Sequence, residues 1–284
     1  MPTILQLSDA HLSPRNKLFR GNVALIRALA EASPPDLVIA SGDLSLDGAD
    51  SEADLALAAE LHRAFPAPLL ALPGNHDTGS HSHTMPQQPF DEARLARFQA
   101  HLGAGRGLHD LPGWRVIGLN SEVMGTGHPE EAAQARFTAE AAASAGERRI
   151  ALFLHKPVFV TELDDPTFDY WSVPPQARAA LAPLLDHPGL RLVASGHLHL
   201  HHEVTRGRVA YVWAPPLSFV VEEAEQPGLP GARLTGALLH RLHADHVETV
   251  LLAPAGMTTP LLGDIRHLTY PREAATAEGY STIR

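Results

Sequence analysis

Cysteine is absent from this chain of 284 residues. That excludes disulfides and thiolate metal sites, so any metal must be held by His, Asp, Asn or Glu. No apolar run approaches the roughly 18 residues that a membrane-spanning helix needs, so no membrane association is expected. The opening stretch MPTILQLSDAHLSPR lacks a basic segment followed by a long apolar one. No secretory leader is therefore expected, and the expected location is the cytoplasm. Basic side chains are outnumbered 22 to 32, for a formal net charge of −10. A broad nucleic-acid surface needs the opposite sign, which argues against a nucleic-acid partner. A small anionic substrate stays compatible, because a pair of bound divalent cations would reverse the potential locally.

What is present is ordinary globular composition, 44% hydrophobic and 19% charged, with 18 histidines. The length suits one α/β domain. Short, nearly continuous apolar runs read as strands covered on both faces: TILQL (3–7), LVIA (37–40), PLLAL (68–72), RVIGL (115–119), RIALFL (149–154) and RLVAS (191–195). Between them, 23–32, 52–65, 91–102, 130–145 and 175–186 carry apolar residues at helical spacing, with Pro183 weakening the last. After residue 195 three strands, 209–214, 236–242 and 246–253, follow with no clear helix between them and read as antiparallel. The pattern predicts an α/β fold of two packed sheets flanked by helices, spanning 1–256, followed by a tail at 257–284 without a clear period. The tail is expected to pack on the domain, to join a neighbouring subunit of a homodimer, or to be loosely ordered. The stretch 78–89 is an irregular insertion.

The chemistry-bearing residues stand directly behind the apolar runs. Asp9 and His11 follow the first, Asp43 the second, Asn75, His76 and Asp77 the third, His155 the fifth, and His197 and His199 the sixth. Ligands of open α/β sheets bind outside the carboxyl ends of the strands, so as parallel strands of one sheet these would gather along one rim. Asp9 with His11, and His197 with His199, are two apart, and in extended chain such pairs face the same way. Asp9, His11, Asp43, Asn75, His155, His197 and His199 make seven oxygen or nitrogen donors. One metal would rarely take all seven, whereas two metals sharing a carboxylate would use them. Such donors suit Zn, Mn or Fe more than Ca or Mg. Each motif alone also has a plain reading as a turn, a helix cap or a buried histidine; all of these plain readings would have to hold at once. Asp77 reads as a support for His76 or as a turn residue. His81 and His83 lie on the 78–89 loop, where they are solvated or line a substrate pocket, and His201 keeps the alternation of HLHLHH toward the site or the surface.

D-x-H, G-D, G-N-H-D, a lone His in HKP, and G-H-x-H, in this order over about residues 5–200, resemble the calcineurin-like metallophosphoesterase superfamily. LNSEVMGTGHPEEAAQARF and YVWAPPLSF resemble its bacterial class III cyclic-nucleotide phosphodiesterase branch. The resemblance implies a four-layer α/β/β/α sandwich of two mixed sheets. It implies that Asp9, His11, Asp43 and His199 hold one metal, and that Asp43, Asn75, His155 and His197 hold the other, with Asp43 as the bridge. The two ions would be divalent or mixed-valence Mn, Fe or Zn. His76 would contact the substrate phosphate and assist the leaving group, and Lys156 stands where many relatives carry a second His. The implied activity is phosphodiester hydrolysis by a metal-bridging hydroxide, with 3′,5′-cyclic nucleotides as the leading substrates. Phosphomonoesters and glycerophosphodiesters suit the same centre. A non-catalytic scaffold is disfavoured because no ligand position is lost.

Overall fold

The structure, a computed structural model, describes residues 1–269. Its elements run β1 (Thr3–Leu7), α1 (Arg20–Ala32), β2 (Leu37–Ser41), α2 (Glu52–Arg63), β3 (Leu69–Leu72), α3 (Asn75–Thr78), α4 (Glu92–Leu102), β4 (Gly107–Leu111), β5 (Trp114–Gly118) and α5 (Pro129–Ala143). They continue with β6 (Arg149–Phe153), a 3₁₀ helix (Pro175–Leu181), α6 (Ala182–Leu185), β7 (Leu190–Ser195), β8 (His202–Arg206), β9 (Val209–Trp213), β10 (Ala237–Leu242), β11 (Val247–Leu252) and α7 (Leu262–Thr269). Two mixed sheets result, one in the order β11-β10-β1-β2-β3 and the other in the order β4-β5-β6-β7-β9-β8.

The apolar runs are continuous because each strand buries both faces. Ile4, Ile39 and Leu72 of the first sheet meet Trp114, Val116, Phe153, Leu192 and Val212 of the second in the central layer. The alternate residues Leu5, Val38 and Ala40 point the other way, onto Val23 and Ile26 of α1, Leu55 and Ala58 of α2, and Phe98 of α4. On the far side, Ile117, Ile150 and Leu152 pack against Ala141 and Ala142 of α5 and against Leu181 and Leu184. Two sheets between two helical layers give the four-layer α/β sandwich. Among the described residues, no helix is long and apolar enough to cross a membrane.

Several elements differ from the pattern read in the sequence. The donor-bearing strands are divided, with β1, β2 and β3 in one sheet and β6 and β7 in the other. The last third is not wholly antiparallel, since β9 runs parallel to β7 with β8 on its outer edge. β4 and β8 are additional strands. Both alternate between partly buried and exposed residues, as edge strands do, and their polar sequences GLHDL and HEVTR carry no apolar run. The stretch 175–186 is a 3₁₀ helix followed by one short α-helical turn. Pro183 has no N–H to continue a longer helix but is tolerated in a first turn. In the expected tail, Thr258 donates its N–H to Asn22 Oδ1, and Leu262 packs with Phe19, Phe219 and Val221. The remainder, 270–284, lies outside the described residues.

Two buried histidines away from the strand ends affect stability. His62 bonds the Ala58 carbonyl through Nδ1, and burial pushes its imidazole down to about 4. His240 lies between Thr249 and Gln6, and burial, with His201, pushes it down to about 3. Both are neutral in the folded protein, while the unfolded chain titrates them near 6.5. Their contribution is complete above pH ~6.5 and is lost as pH falls toward those depressed values, at up to about 1.4 kcal/mol per pH unit for each. Urea unfolding of His62→Gln should therefore lose less stability than wild type between pH 6.5 and 4. Equal slopes would show that His62 carries no such linkage.

Candidate metal centre

The five donor-bearing loops sit where the carboxyl ends of the two sheets meet. Among the described residues, the non-glycine residues with positive φ are Asp9 (52°), His11 (44°), Asp43 (51°), His197 (69°) and His199 (53°). For an L-residue this region costs about 1–2 kcal/mol, so the strained backbone coincides with candidate donors. Surrounding hydrogen bonds hold the strain in place. Asp9 N donates to Gly42 O and His11 N to Asp43 O, each at 3.0 Å, which locks the first loop along the second. His197 N donates to Asp9 Oδ2 at 3.1 Å, tying the second sheet to the first. Gly74 permits the third loop to approach, since a Cβ there would overlap the Asp43 carboxylate.

Backbone carbonyls orient the rings. His155 Nδ1 donates to Ser41 O at 2.9 Å, His199 Nδ1 to Phe219 O at 2.6 Å, and His197 Nε2 to Tyr170 O at 2.9 Å. A carbonyl can only accept, so in each ring the opposite nitrogen is the one that can offer a lone pair to a cation. His155 Nε2 then lies 3.2 Å from Asn75 Oδ1 and 3.3 Å from Asp43 Oδ2. His199 Nε2 lies 3.2 Å from His11 Nε2 and 3.4 Å from Asp9 Oδ1. Asp43 Oδ2 is 3.7 Å from His11 Nε2, so one carboxylate oxygen faces both groups. Donor atoms of Asp9, His11 and His199 lie within 4.8 Å of one another, as do those of Asp43, His155 and His197.

The electrostatics favour cations. Burial opposes ionisation of Asp43, but the charges of His155 and His76 hold its carboxyl well below the usual range. Burial also pulls the His155 imidazole down, yet the charge and hydrogen bond of Asp43, with Asp9 and Glu122, push it up to about 10. The Asp43 carboxylate and the His155 ring thus hold each other in their charged forms. Burial, aided by His76 for His11 and by His155 for His197, depresses those two imidazoles well below the ordinary value, toward the neutral form that can bind a metal. Asp9 Oδ1, 3.4 Å from His199 Nε2, is buried with no hydrogen-bond partner. Buried polar atoms are seldom left so unless an ion or water completes them. The residues present therefore fit a pair of cations.

Residues 2–201 match the calcineurin-like phosphoesterase family. The chain belongs to this family. It is accordingly a phosphoric ester hydrolase, built with clustered His and Asp residues that could hold metal ions. This phosphoesterase is 30% identical over 229 residues to the 3′,5′-cyclic adenosine monophosphate phosphodiesterase CpdA of Pseudomonas aeruginosa, covering 75% of each chain. It is 25% identical over 206 residues to a probable glycerophosphodiester phosphodiesterase, GpdQ, of Arcobacter nitrofigilis, covering 69% of this chain and 71% of that one. A dimetal phosphatase from Danio rerio has a similar fold, with a TM-score of 0.60 at 14% identity over 89% of this chain and 99% of that one.

All seven donors expected from the sequence surround this one centre in the phosphoesterase. His76 borders it, with its ring 4.8 Å from that of His11 and its N–H donating to Asp43 Oδ1 at 2.8 Å. Asp77 acts as a tie between loops, accepting from the N–H groups of Leu44, Ser45 and Gly74. His81 and His83 pack on Phe168, at 4.8 and 5.1 Å between ring centroids. His201 turns to the Trp213 carbonyl at 3.1 Å. Three neighbours were not singled out as donors or supports. Phe219 packs on the rings of His199 (4.4 Å) and His11 (5.0 Å). Lys156 is buried, with Nζ 2.8 Å from Ser80 Oγ and 3.5 Å from Glu122 Oε2, so its charge is already matched. Tyr170 touches Asn75 and His197 from a segment with no motif or period. Ligands that bind the folded state alone raise stability by about 2.7 kcal/mol at a hundred times Kd. Mn²⁺ should therefore raise the melting temperature of the wild type by several degrees and leave Asp43→Ala unmoved; an equal rise in both would remove Asp43 from the centre.

Proposed function

We propose that this protein is a dinuclear-metal phosphodiesterase of the cytoplasm, using Mn, Fe or Zn, with 3′,5′-cyclic nucleotides as its substrate class. The observation that carries the dinuclear reading is Asp43 Oδ2, which faces His11 Nε2 at 3.7 Å and His155 Nε2 at 3.3 Å and so stands between two donor groups. Asp9, His11 and His199 would complete one position, and Asn75, His155 and His197 the other. Both named relatives act on phosphodiesters according to their descriptions, and the cyclic-nucleotide enzyme shares the higher identity over the longer alignment. That supports a diester over a monoester.

When bound, two cations supply charge stabilisation for the phosphoryl group and activation of water. The chain's residues do the rest. Carbonyl-anchored rings and the short loop ties keep the donors in place, so little reorganisation is needed at the moment of reaction. His76 Nδ1 donates to Leu46 O at 3.0 Å, which keeps that nitrogen protonated and makes Nε2 the nitrogen that gains and loses a proton. From beside His11 and Asp43, protonated Nε2 would contact a phosphate oxygen and donate to the departing alkoxide. His76→Ala should keep both metal equivalents while kcat drops by about 10²- to 10⁴-fold, the usual worth of a positioned acid; normal turnover would end this assignment. With added Mn²⁺, bis-p-nitrophenyl phosphate should be cleaved faster than p-nitrophenyl phosphate, and cyclic nucleotides faster than glycerophosphodiesters. The reverse order in either comparison would replace the substrate class.

A further inference from the structure

Tyr170 belongs to the stretch between β6 and the 3₁₀ helix, outside every motif that supplies a donor, yet it touches the centre twice. Asn75 Nδ2 donates to the Tyr170 hydroxyl at 2.9 Å, and the Tyr170 carbonyl accepts from His197 Nε2 at 2.9 Å. The ring is clamped between neighbours. Lys156 Nζ lies 5.0 Å from its centroid, the His197 ring 4.7 Å and the Trp171 ring 5.3 Å. The phenol oxygen is thus held at a fixed point rather than left to rotate.

The consequence follows from the chemistry of the amide. A carboxamide has one end that accepts and one that only donates, and a cation can be held by the oxygen alone. Asn75 has its NH₂ on the Tyr170 hydroxyl, so Oδ1 is turned inward, 3.2 Å from His155 Nε2. With the amide reversed, two N–H donors would face the cation. In the same way the Tyr170 carbonyl takes the Nε2 proton of His197 and leaves Nδ1 as its lone-pair nitrogen. On the other side of the centre, His199 is oriented by the Phe219 carbonyl. We propose that Tyr170 is a positioning residue of the metal position to which Asn75 and His197 belong. Its hydroxyl holds the Asn75 amide in place and its carbonyl selects the His197 tautomer, so this position depends on the segment that carries Tyr170. This rests on the reading of Asn75 as a metal donor.

The test is calorimetric titration of the metal-stripped full-length protein with Mn²⁺ alone. Tyr170→Phe keeps the ring and the carbonyl and removes only the hydroxyl. It should weaken one of two Mn²⁺ equivalents by about 10- to 100-fold, the usual effect of losing an outer partner of a ligand, and leave the other unchanged. Asn75→Asp offers oxygen at both ends and needs no orienting partner. In that background Tyr170→Phe should change affinity by less than about threefold. An effect equally large in both backgrounds would assign Tyr170 a merely structural role and overturn the proposal, as would wild-type binding of both equivalents by Tyr170→Phe. Asn75→Ala separates the two readings. Loss of one equivalent upholds Asn75 as a donor, whereas two undiminished equivalents would overturn that reading whatever Tyr170 does.

Discussion

The carboxylate of Asp43 is the constraint on which the rest of this structure depends. It is buried in a left-handed backbone conformation, and its two oxygens have separate tasks. Oδ1 accepts the His76 N–H, while Oδ2 faces His11 and His155. Its own carbonyl accepts the His11 N–H. A buried carboxylate of this kind is costly unless cations or several donors surround it. Those partners come from loops of both sheets, so the charge can be accommodated only when the sheets are packed face to face. The apolar layer of Ile4, Ile39, Phe153 and Leu192 is therefore as much a part of the site as the imidazoles.

Strain and rigidity follow from the same demand. Five donors adopt backbone geometry that glycine would adopt more cheaply, and each needs its side chain, so glycine cannot replace them. Short hydrogen bonds between the ends of β1, β2 and β7 stabilise that geometry from outside. Within this frame the two halves of the centre differ. The half built on Asp9, His11 and His199 is backed by Phe219 and the core beneath it, whereas the half built on Asn75 and His197 leans on Tyr170.

The sequence determined the inventory. Runs such as TILQL and RIALFL read as strands because both of their faces are buried, and residues directly behind them bear the donors because strand ends open onto a ligand crevice. Ordered spacing was enough to single out Asp9, His11, Asp43, Asn75, His155, His197 and His199 as candidate donors, and the fold brings them together. Strands with mixed polarity, GLHDL and HEVTR, escaped because edge strands expose one face and leave no apolar signal.

Only the tertiary structure decided how that inventory is shared and oriented. Nothing in an apolar run says which sheet it joins, since sheet membership is settled by long-range packing; the donors accordingly came from two sheets where one rim was expected. Which nitrogen of each imidazole is available depends on carbonyls far away in the chain, at Ser41, Tyr170 and Phe219. A ring's environment is a property of three-dimensional neighbours, whereas its chemical type is a property of the residue. Local sequence records the second, and folding supplies the first.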